Sequence, residues 1–416
     1  MKIVVLGGGV VGVTTAYYLA EEGYDVTLVD RQAEVASETS YGNAGLITPG
    51  DSYAWASPEA LKVFLKSLYR RDLGIKVRLR PDPELLVWSW KFLFQCSPER
   101  TFANTMRKLR LTSYSRERLN ALVADTGLEY DGTNRGVLYF FRSQKSLDHG
   151  AAHFRLLADH GLEIEVVDRV GLVSHDSGLA RVKDQLAGGI YSPMDQTGDS
   201  CKFARRLASW CAENKGVRLM LGTTVSGVDV EGGRVRRVST DYGDLEADAF
   251  VLAMGCDSRW LASRLGVRLP IYPVKGYSLT VPLQNPEAGP QIGGADEDRL
   301  VAYSRLGDRL RLAATAEFAG NDRSYRPKDF AVLKAFGQDV FPGAGDFEAA
   351  EQWAGLRPMT PSSVPILGCA GCENFYLNVG HGHVGWTMAC GSGKFVADLV
   401  AGRSPEIDTE GLLYEA

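Results

Sequence analysis

Two glycine-rich turns, one near each end of the chain, hold residues whose types and spacing could do chemistry. The first is Gly7-Gly-Gly-Val-Val-Gly12, with glycines at the G-x-G-x-x-G positions Gly7, Gly9 and Gly12. In that spacing one glycine makes a tight turn, the next lets the backbone approach a pyrophosphate, and the third lets helix and strand pack closely. Asp30 follows Gly12 at the distance where an acid would hydrogen-bond a ribose hydroxyl. The second turn is Gly380-His-Gly-His-Val-Gly-Trp-Thr-Met388, where Gly380, Gly382 and Gly385 open another helix. A helix N-terminus there would stabilise the negative charge that collects near N1 and O2 of a reduced isoalloxazine. A flavin lying between the two turns would use both.

The elements that must position these turns are legible around them. Lys2–Leu6 reads as a buried parallel strand, a helix ends at Gly23, and a second strand ends at Asp30. Residues 37–47 are small and hydroxylated, with Gly42 and Gly45 bracketing Asn43; such a loop can lie against a flat ligand, with Ser40 and Asn43 hydrogen-bonding to it. A helix is expected over 102–125, a strand over 136–141, a helix over 143–160, a hairpin turning at Gly232-Gly233, and a buried strand from Ala249 to Gly255. Alternation of Tyr272, Val274, Tyr277 and Leu279 suggests a sheet outside the nucleotide domain, extended by strands at 299–305 and 309–315. The expected class is α/β: a doubly wound, Rossmann-like FAD-binding domain (1–56, 195–268 and 352–416) with an inserted α+β mixed-sheet substrate domain (57–194 and 269–351).

Composition narrows the functions available. The 416 residues are 45% hydrophobic and 23% charged, as in a soluble globular chain of two to three domains. A net charge of −5 argues against a nucleic-acid partner. No segment is long and apolar enough to span a bilayer, and a cleavable leader would remove the fingerprint, so an intracellular protein is expected. The seven cysteines are scattered and read as reduced thiols. His149, His153 and His160 share a helix face without the acid of a metalloprotease pattern, and no metal ligand set is expected. Lys62, Lys66, Arg70, Arg71, Lys76, Arg78 and Arg80 crowd ahead of the aromatic run Leu85–Phe94. That pairing suits an interfacial membrane contact, and equally a solvated helix packed on a core.

Taken whole, the chain resembles the D-amino acid dehydrogenases, among the flavin amine oxidoreductases that include glycine oxidase and D-amino acid oxidase. The residues that carry the resemblance are Gly7–Val13, Glu38-Thr-Ser with Asn43-Ala-Gly45, Tyr272–Thr280, Gly355-Leu-Arg-Pro-Met-Thr-Pro361, Gly380-His-Gly382 and Gly385–Gly393. Cys369-Ala-Gly-Cys372 stands outside that pattern. The resemblance implies FAD, oxidation of a D-amino acid such as D-alanine to a 2-oxo acid and ammonia, electrons passed to a membrane quinone, and a peripheral place on the inner face of a bacterial membrane. Related outcomes are an enzyme of D-proline, D-hydroxyproline, sarcosine or glycine, and a flavin-carrying subunit of a larger electron-transfer complex. No cysteine matches a covalent flavin linkage, so dissociable FAD is expected. The implied cofactor residues are Gly7, Gly9, Val10, Val11 and Gly12 at the fingerprint, then Asp30 and Arg31. Ser40, Asn43, Ala44, Gly45 and Leu46 follow in the loop, then Val225 and Gly255, and finally Gly382, His383, Gly385, Trp386 and Thr387. By the same resemblance Arg357 of G-x-R-P would hold the substrate carboxylate, since a planar guanidinium grips it bidentately. Tyr272, Lys275 and Tyr277 lie on the strand that would wall the pocket, and which of them point inward stays open. Hydride transfer from a free amine leaves an imine that water hydrolyses, so no general acid or base is demanded.

Overall fold

A computed structural model describes residues 1–60, 74–78 and 81–415. Lys62, Lys66, Arg70, Arg71 and Arg80 of the basic stretch lie outside those residues.

The first strand, Lys2–Leu6, sits inside a six-stranded sheet, flanked in parallel by Asp25–Asp30 and Ala249–Leu252. Its residues are buried on both faces, which explains the unbroken apolar run. Ile3 and Val5 pack under the helices, whereas Val4 and Leu6 meet Phe250, Leu252 and a three-stranded antiparallel sheet spanning Val225–Glu246. Phe375–Val379 and Arg218–Leu221 extend the parallel core, and Ile366–Cys369 closes one edge antiparallel. The fingerprint helix, Val10–Glu21, lies against the closing helix, Gly385–Val400, and against Ser200–Lys215. This is the doubly wound nucleotide layer read from the sequence.

The second sheet has nine strands and is mixed. Toward one edge lies the long pair Tyr272–Pro282 and Arg309–Phe318, with Glu351–Met359 as the edge strand beside the first. Gly293–Asp296 joins Val137–Phe141 in parallel, and most other neighbours are antiparallel. Helices Ala331–Val340 and Gln144–Ala158 cover two apolar clusters on this sheet.

Sheet membership corrects the expected domain boundaries in two places. Glu351–Met359 belongs to the second sheet, so the return to the nucleotide layer comes after Met359 and not at residue 352. The strand tolerates Pro358 because it is an edge strand, where a missing backbone N–H costs no ladder bond. The long helix Pro98–Thr126, expected within the substrate domain, instead packs on the closing helix and buries Leu111, Leu119 and Leu122 in the nucleotide-layer core. Its amphipathic pattern shows that one face is buried but not what covers it.

Candidate active site

Both sheets line one cavity of about 1570 Å³. At its nucleotide end the fingerprint helix begins with Gly9 and without a side-chain cap. Among the described residues, five other helices that start directly from coil each carry a Ser or Asp cap. The first helical bond runs from Val13 N to Gly9 O, so the amides of Val11 and Gly12 ahead of it have no helical acceptor. Uncapped amides on a positive helix end fit a pyrophosphate. A Cβ on Gly12 would collide with the Gly7 carbonyl, the close helix–strand approach that position requires. A Cβ on Gly9 would meet only Ser40 Oγ, at 3.4 Å, so the Gly9 surface is open to a ligand.

Asp30 accepts from Gly8 N at 2.6 Å and Gln32 N at 2.8 Å, which fixes its carboxylate at the strand end. Arg31 and Arg323 both pair with Glu38 and Asp257, a four-charge cluster that ties the fingerprint side to the loop around residue 323. The loop after it is held from several directions. Ser40 Oγ accepts from Val10 N, Asn43 Oδ1 accepts from Gly45 N, and Asn43 Nδ2 donates to Ser200 Oγ. Arg311, buried, donates to the carbonyls of Tyr41 and Asn43, and Ser304 to that of Ala44. Nothing in the sequence pattern singles out Arg311. Leu46, Val225 and Gly255 complete the wall. At the far end Gly382, His383, Gly385, Trp386 and Thr387 line the cavity where the closing helix begins, again without a side-chain cap or an acid in its first turn. Thr387 Oγ1 accepts from Thr48 N at 3.0 Å and so anchors the opposite loop. Of the cofactor residues expected from the sequence, all but Gly12, which packs behind the turn, border this one cavity. These residues fit FAD.

Arg357 enters from Glu351–Met359. Its guanidinium lies flat over Gly276, where an added Cβ would be 2.5 Å from Cζ and both terminal nitrogens. One of those nitrogens donates to Thr315 O at 2.7 Å. Thr315 has φ +70°, a rare conformation for a β-branched residue, and its carbonyl is aimed at Arg357. No carboxylate among the described residues pairs with Arg357, and burial alone pulls the group down to about 10, so it stays charged at neutral pH. A half-buried guanidinium that lines a cavity without an acid beside it suits an anionic ligand.

The other three pocket-strand candidates are not presented to the cavity in the same way. Tyr272 is covered by Trp88 and donates to Asp82 Oδ2 at 2.8 Å. Lys275 is fully buried, with Nζ on Ser324 O at 2.8 Å and Asp322 Oδ2 at 3.4 Å. Tyr277 borders the cavity, but its ring packs edge-on against Phe330 and its hydroxyl donates to Glu317. Of this strand Gly276 and Tyr277 border the cavity, while Tyr272 and Lys275 do not.

A second polar group, His383 apart, is not marked by the sequence pattern. Asp51, Lys108, Tyr139, Asp195, Glu297 and His383 come from separate segments and converge beside the cavity. Burial pushes Asp195 up to about 7 and Glu297 up to about 8, the charge of Asp51 adding to both. Asp195 is held by Tyr139 Oη at 2.6 Å and Gly50 N at 3.0 Å. His381, by contrast, is turned inward onto Ser392 Oγ at 2.9 Å and fills the turn.

The family model for FAD dependent oxidoreductases of the DAO family matches residues 2–399. The chain belongs to that family and is an FAD-dependent oxidoreductase. Among its relatives, "D-amino acid dehydrogenase 2" of Mesorhizobium japonicum is 58% identical over 414 residues, covering 100% of both chains. "D-amino acid dehydrogenase" of Chromohalobacter salexigens is 44% identical and covers 99% of this chain and 98% of its own. Glycine oxidase from Geobacillus kaustophilus shares the fold, with a TM-score of 0.75 at 21% identity over 100% of this chain and 98% of that one.

Proposed function

We propose that this enzyme oxidises D-amino acids to 2-oxo acids and ammonia and passes the electrons to a quinone-type acceptor. The observation that carries the reading is Arg357, a half-buried guanidinium with no acidic partner among the described residues, lining the cavity that fits FAD. The D-configuration follows the names of full-length relatives at 44–58% identity. Bound FAD supplies the acceptor for the α-hydride. Arg357 holds the substrate carboxylate, Gly276 lets the guanidinium lie against the strand, and Thr315 O fixes its rotation. Trp55, Trp88 and Phe318 line the remaining wall and exclude water from it. Dye-linked turnover across D-, L- and imino acids tests the reading. Preference for D-proline, sarcosine or glycine would move it to the imino-acid branch. Activity only with a partner protein would make the chain an electron-transfer subunit.

The acceptor reading adds a peripheral membrane contact. No helix among the described residues is long and apolar enough to cross a membrane. The helix Pro83–Gln95 turns Trp88 inward, yet leaves Leu86 72% and Trp90 63% exposed, with Val87, Leu93 and Phe94 beside them. Such a one-sided apolar face suits the headgroup boundary of a bilayer. Of the basic residues, Arg78 is tied to Glu317 and Asp322, so its charge is used within the protein. Among the described residues the apolar face carries the proposed contact. Replacing Leu86, Trp90 and Phe94 together by serine should move the protein from the membrane to the soluble fraction while dye-linked turnover continues. Unchanged fractionation would remove the membrane contact.

A further inference from the structure

We infer that the cavity-facing stripe of the helix Pro83–Gln95 is the docking wall for the enzyme's electron acceptor, an apolar benzoquinone that enters past the helix's exposed face. The inference rests on the quinone-type acceptor proposed above and says where that acceptor reaches the cavity.

The helix is apolar on almost every side, with Glu84, Ser89, Lys91 and Gln95 its only polar side chains. Its start is held by Asp82, which accepts from Leu85 N at 3.0 Å, and by Glu84 on Arg259 at 2.6 Å. In its middle Trp88 Nε1 donates to Met359 O at 2.9 Å. Leu85, Trp88, Ser89, Phe92 and Leu93 share one helical stripe at the i, i+3, i+4, i+7 and i+8 positions, and all of them line the cavity. Leu86, Val87, Trp90, Leu93 and Phe94 make the exposed face. Leu93, 45% exposed, belongs to both. Apolar surface therefore runs without a break from outside the protein to the cavity wall.

Direct contacts carry this wall inward. The Phe92 ring stacks on Trp88, with centroids 5.1 Å apart. Met359, whose carbonyl holds Trp88, pairs with His381 across an antiparallel bridge. A Cβ added to Gly382 would stand 3.0 Å from Met359 Sδ, so Met359 packs directly on the second glycine turn. Gly382 itself lines the cavity that fits FAD. Phe92, Trp88 and Met359 thus connect the exposed Leu93 with that turn.

Such a wall suits an acceptor with a flat ring and an apolar tail. Aromatic faces take a quinone ring by stacking, and an isoprenoid tail leaves water along Leu93 and the exposed face. Ser89 is the one hydroxyl of the stripe and offers a hydrogen bond to a quinone oxygen. In each turnover the quinone takes two electrons and two protons from the reduced cofactor and leaves as the hydroquinone, which restores the oxidised cofactor. An amino acid, charged and arriving from water, has no use for apolar surface that continues to the outside. That continuity favours the acceptor over a substrate side chain as the occupant.

The test separates the two half-reactions. The FAD-loaded enzyme is reduced with D-alanine without oxygen, then mixed with a benzoquinone carrying one isoprenoid unit, or with ferricyanide, a hydrophilic acceptor that needs no apolar wall. Ser89→Trp fills the wall from the middle of the stripe. Reoxidation by the quinone should slow about tenfold or more in that variant, because the apolar contact area is taken. Reduction by D-alanine and reoxidation by ferricyanide should keep their wild-type rates. Leu93→Glu, which puts a charge where the two faces meet, should give the same split and makes the comparison if Ser89→Trp does not retain FAD. Wild-type quinone reoxidation in the FAD-loaded variants would overturn the assignment. So would slower reduction by D-phenylalanine with quinone reoxidation intact, which would give the wall to a substrate side chain. Reduced wild-type enzyme that no quinone reoxidises would instead remove the acceptor on which the inference rests.

Discussion

Arg357→Lys should lower the kcat/KM for a D-amino acid by about a hundredfold, roughly 2.7 kcal/mol of transition-state stabilisation, with FAD content unchanged. Lysine keeps the charge but loses the planar fork, and the hydrogen bonds to a carboxylate are worth roughly 1.5–3 kcal/mol each way. The larger share of the loss is orientation, because the α-hydrogen is no longer held in line with its acceptor. The structure sharpens this expectation. The guanidinium lies over Gly276 and is turned by the Thr315 carbonyl at 2.7 Å, so its plane is set before substrate arrives. Lysine can reproduce neither contact as a plane. Gly276→Ala should give the same signature from the other side, since its methyl would sit 2.5 Å from the guanidinium atoms. Rapid-mixing reduction of the bound flavin at several substrate concentrations separates affinity from rate. A variant with wild-type saturation and rate would show that another group holds the carboxylate. Lys275 is poorly placed for that role, with its ammonium on Ser324 O and Asp322.

Gly9→Val should leave a folded protein that binds FAD at least about tenfold more weakly, a loss of about 1.4 kcal/mol or more. Gly9 is extended, with φ −71° and ψ 174°, which valine adopts readily. A Cβ there meets only Ser40 Oγ within 4 Å, so the chain itself has room. What the side chain obstructs is the approach of the pyrophosphate to the uncapped helix end. Gly12→Val is the contrasting variant. Its side chain would drive into the Gly7 carbonyl and should destabilise the whole domain. Flavin content and thermal unfolding of both variants check the pair. Normal FAD occupancy in Gly9→Val would sink the placement of the cofactor.

The parts of the site legible in the sequence are those where chemistry is local. Gly7, Gly9, Gly12, Gly382 and Gly385 are read from spacing because a turn, a helix end and a close approach are all short-range demands. The Ser40–Leu46 loop is legible for the same reason, although its anchors are not: Arg311 and Ser304 come from the other sheet. Arg357 and the segment that holds Gly276 stand out through family resemblance, but not that the two meet, and Thr315 through none, because cross-strand register is not written in either strand alone. Alternation marked Tyr272, Lys275 and Tyr277 as one wall, but it could not say that of these Tyr277 alone, with Gly276, borders the cavity. Asp51 and Lys108 carry no pattern at all, and His383 is marked only through its glycine turn. Lys108 joins the other two because the long helix Pro98–Thr126 packs on the nucleotide layer.

The most direct measurement is anaerobic mixing of the purified, FAD-loaded protein with single enantiomers, following the flavin absorbance. D-alanine or another small D-amino acid should bleach the oxidised flavin in a saturable, single-exponential step and release one 2-oxo acid per flavin. The L-enantiomer at the same concentration should leave the spectrum oxidised. Reduction by L-amino acids alone, or no reduction by any amino acid of either hand, would contradict the account.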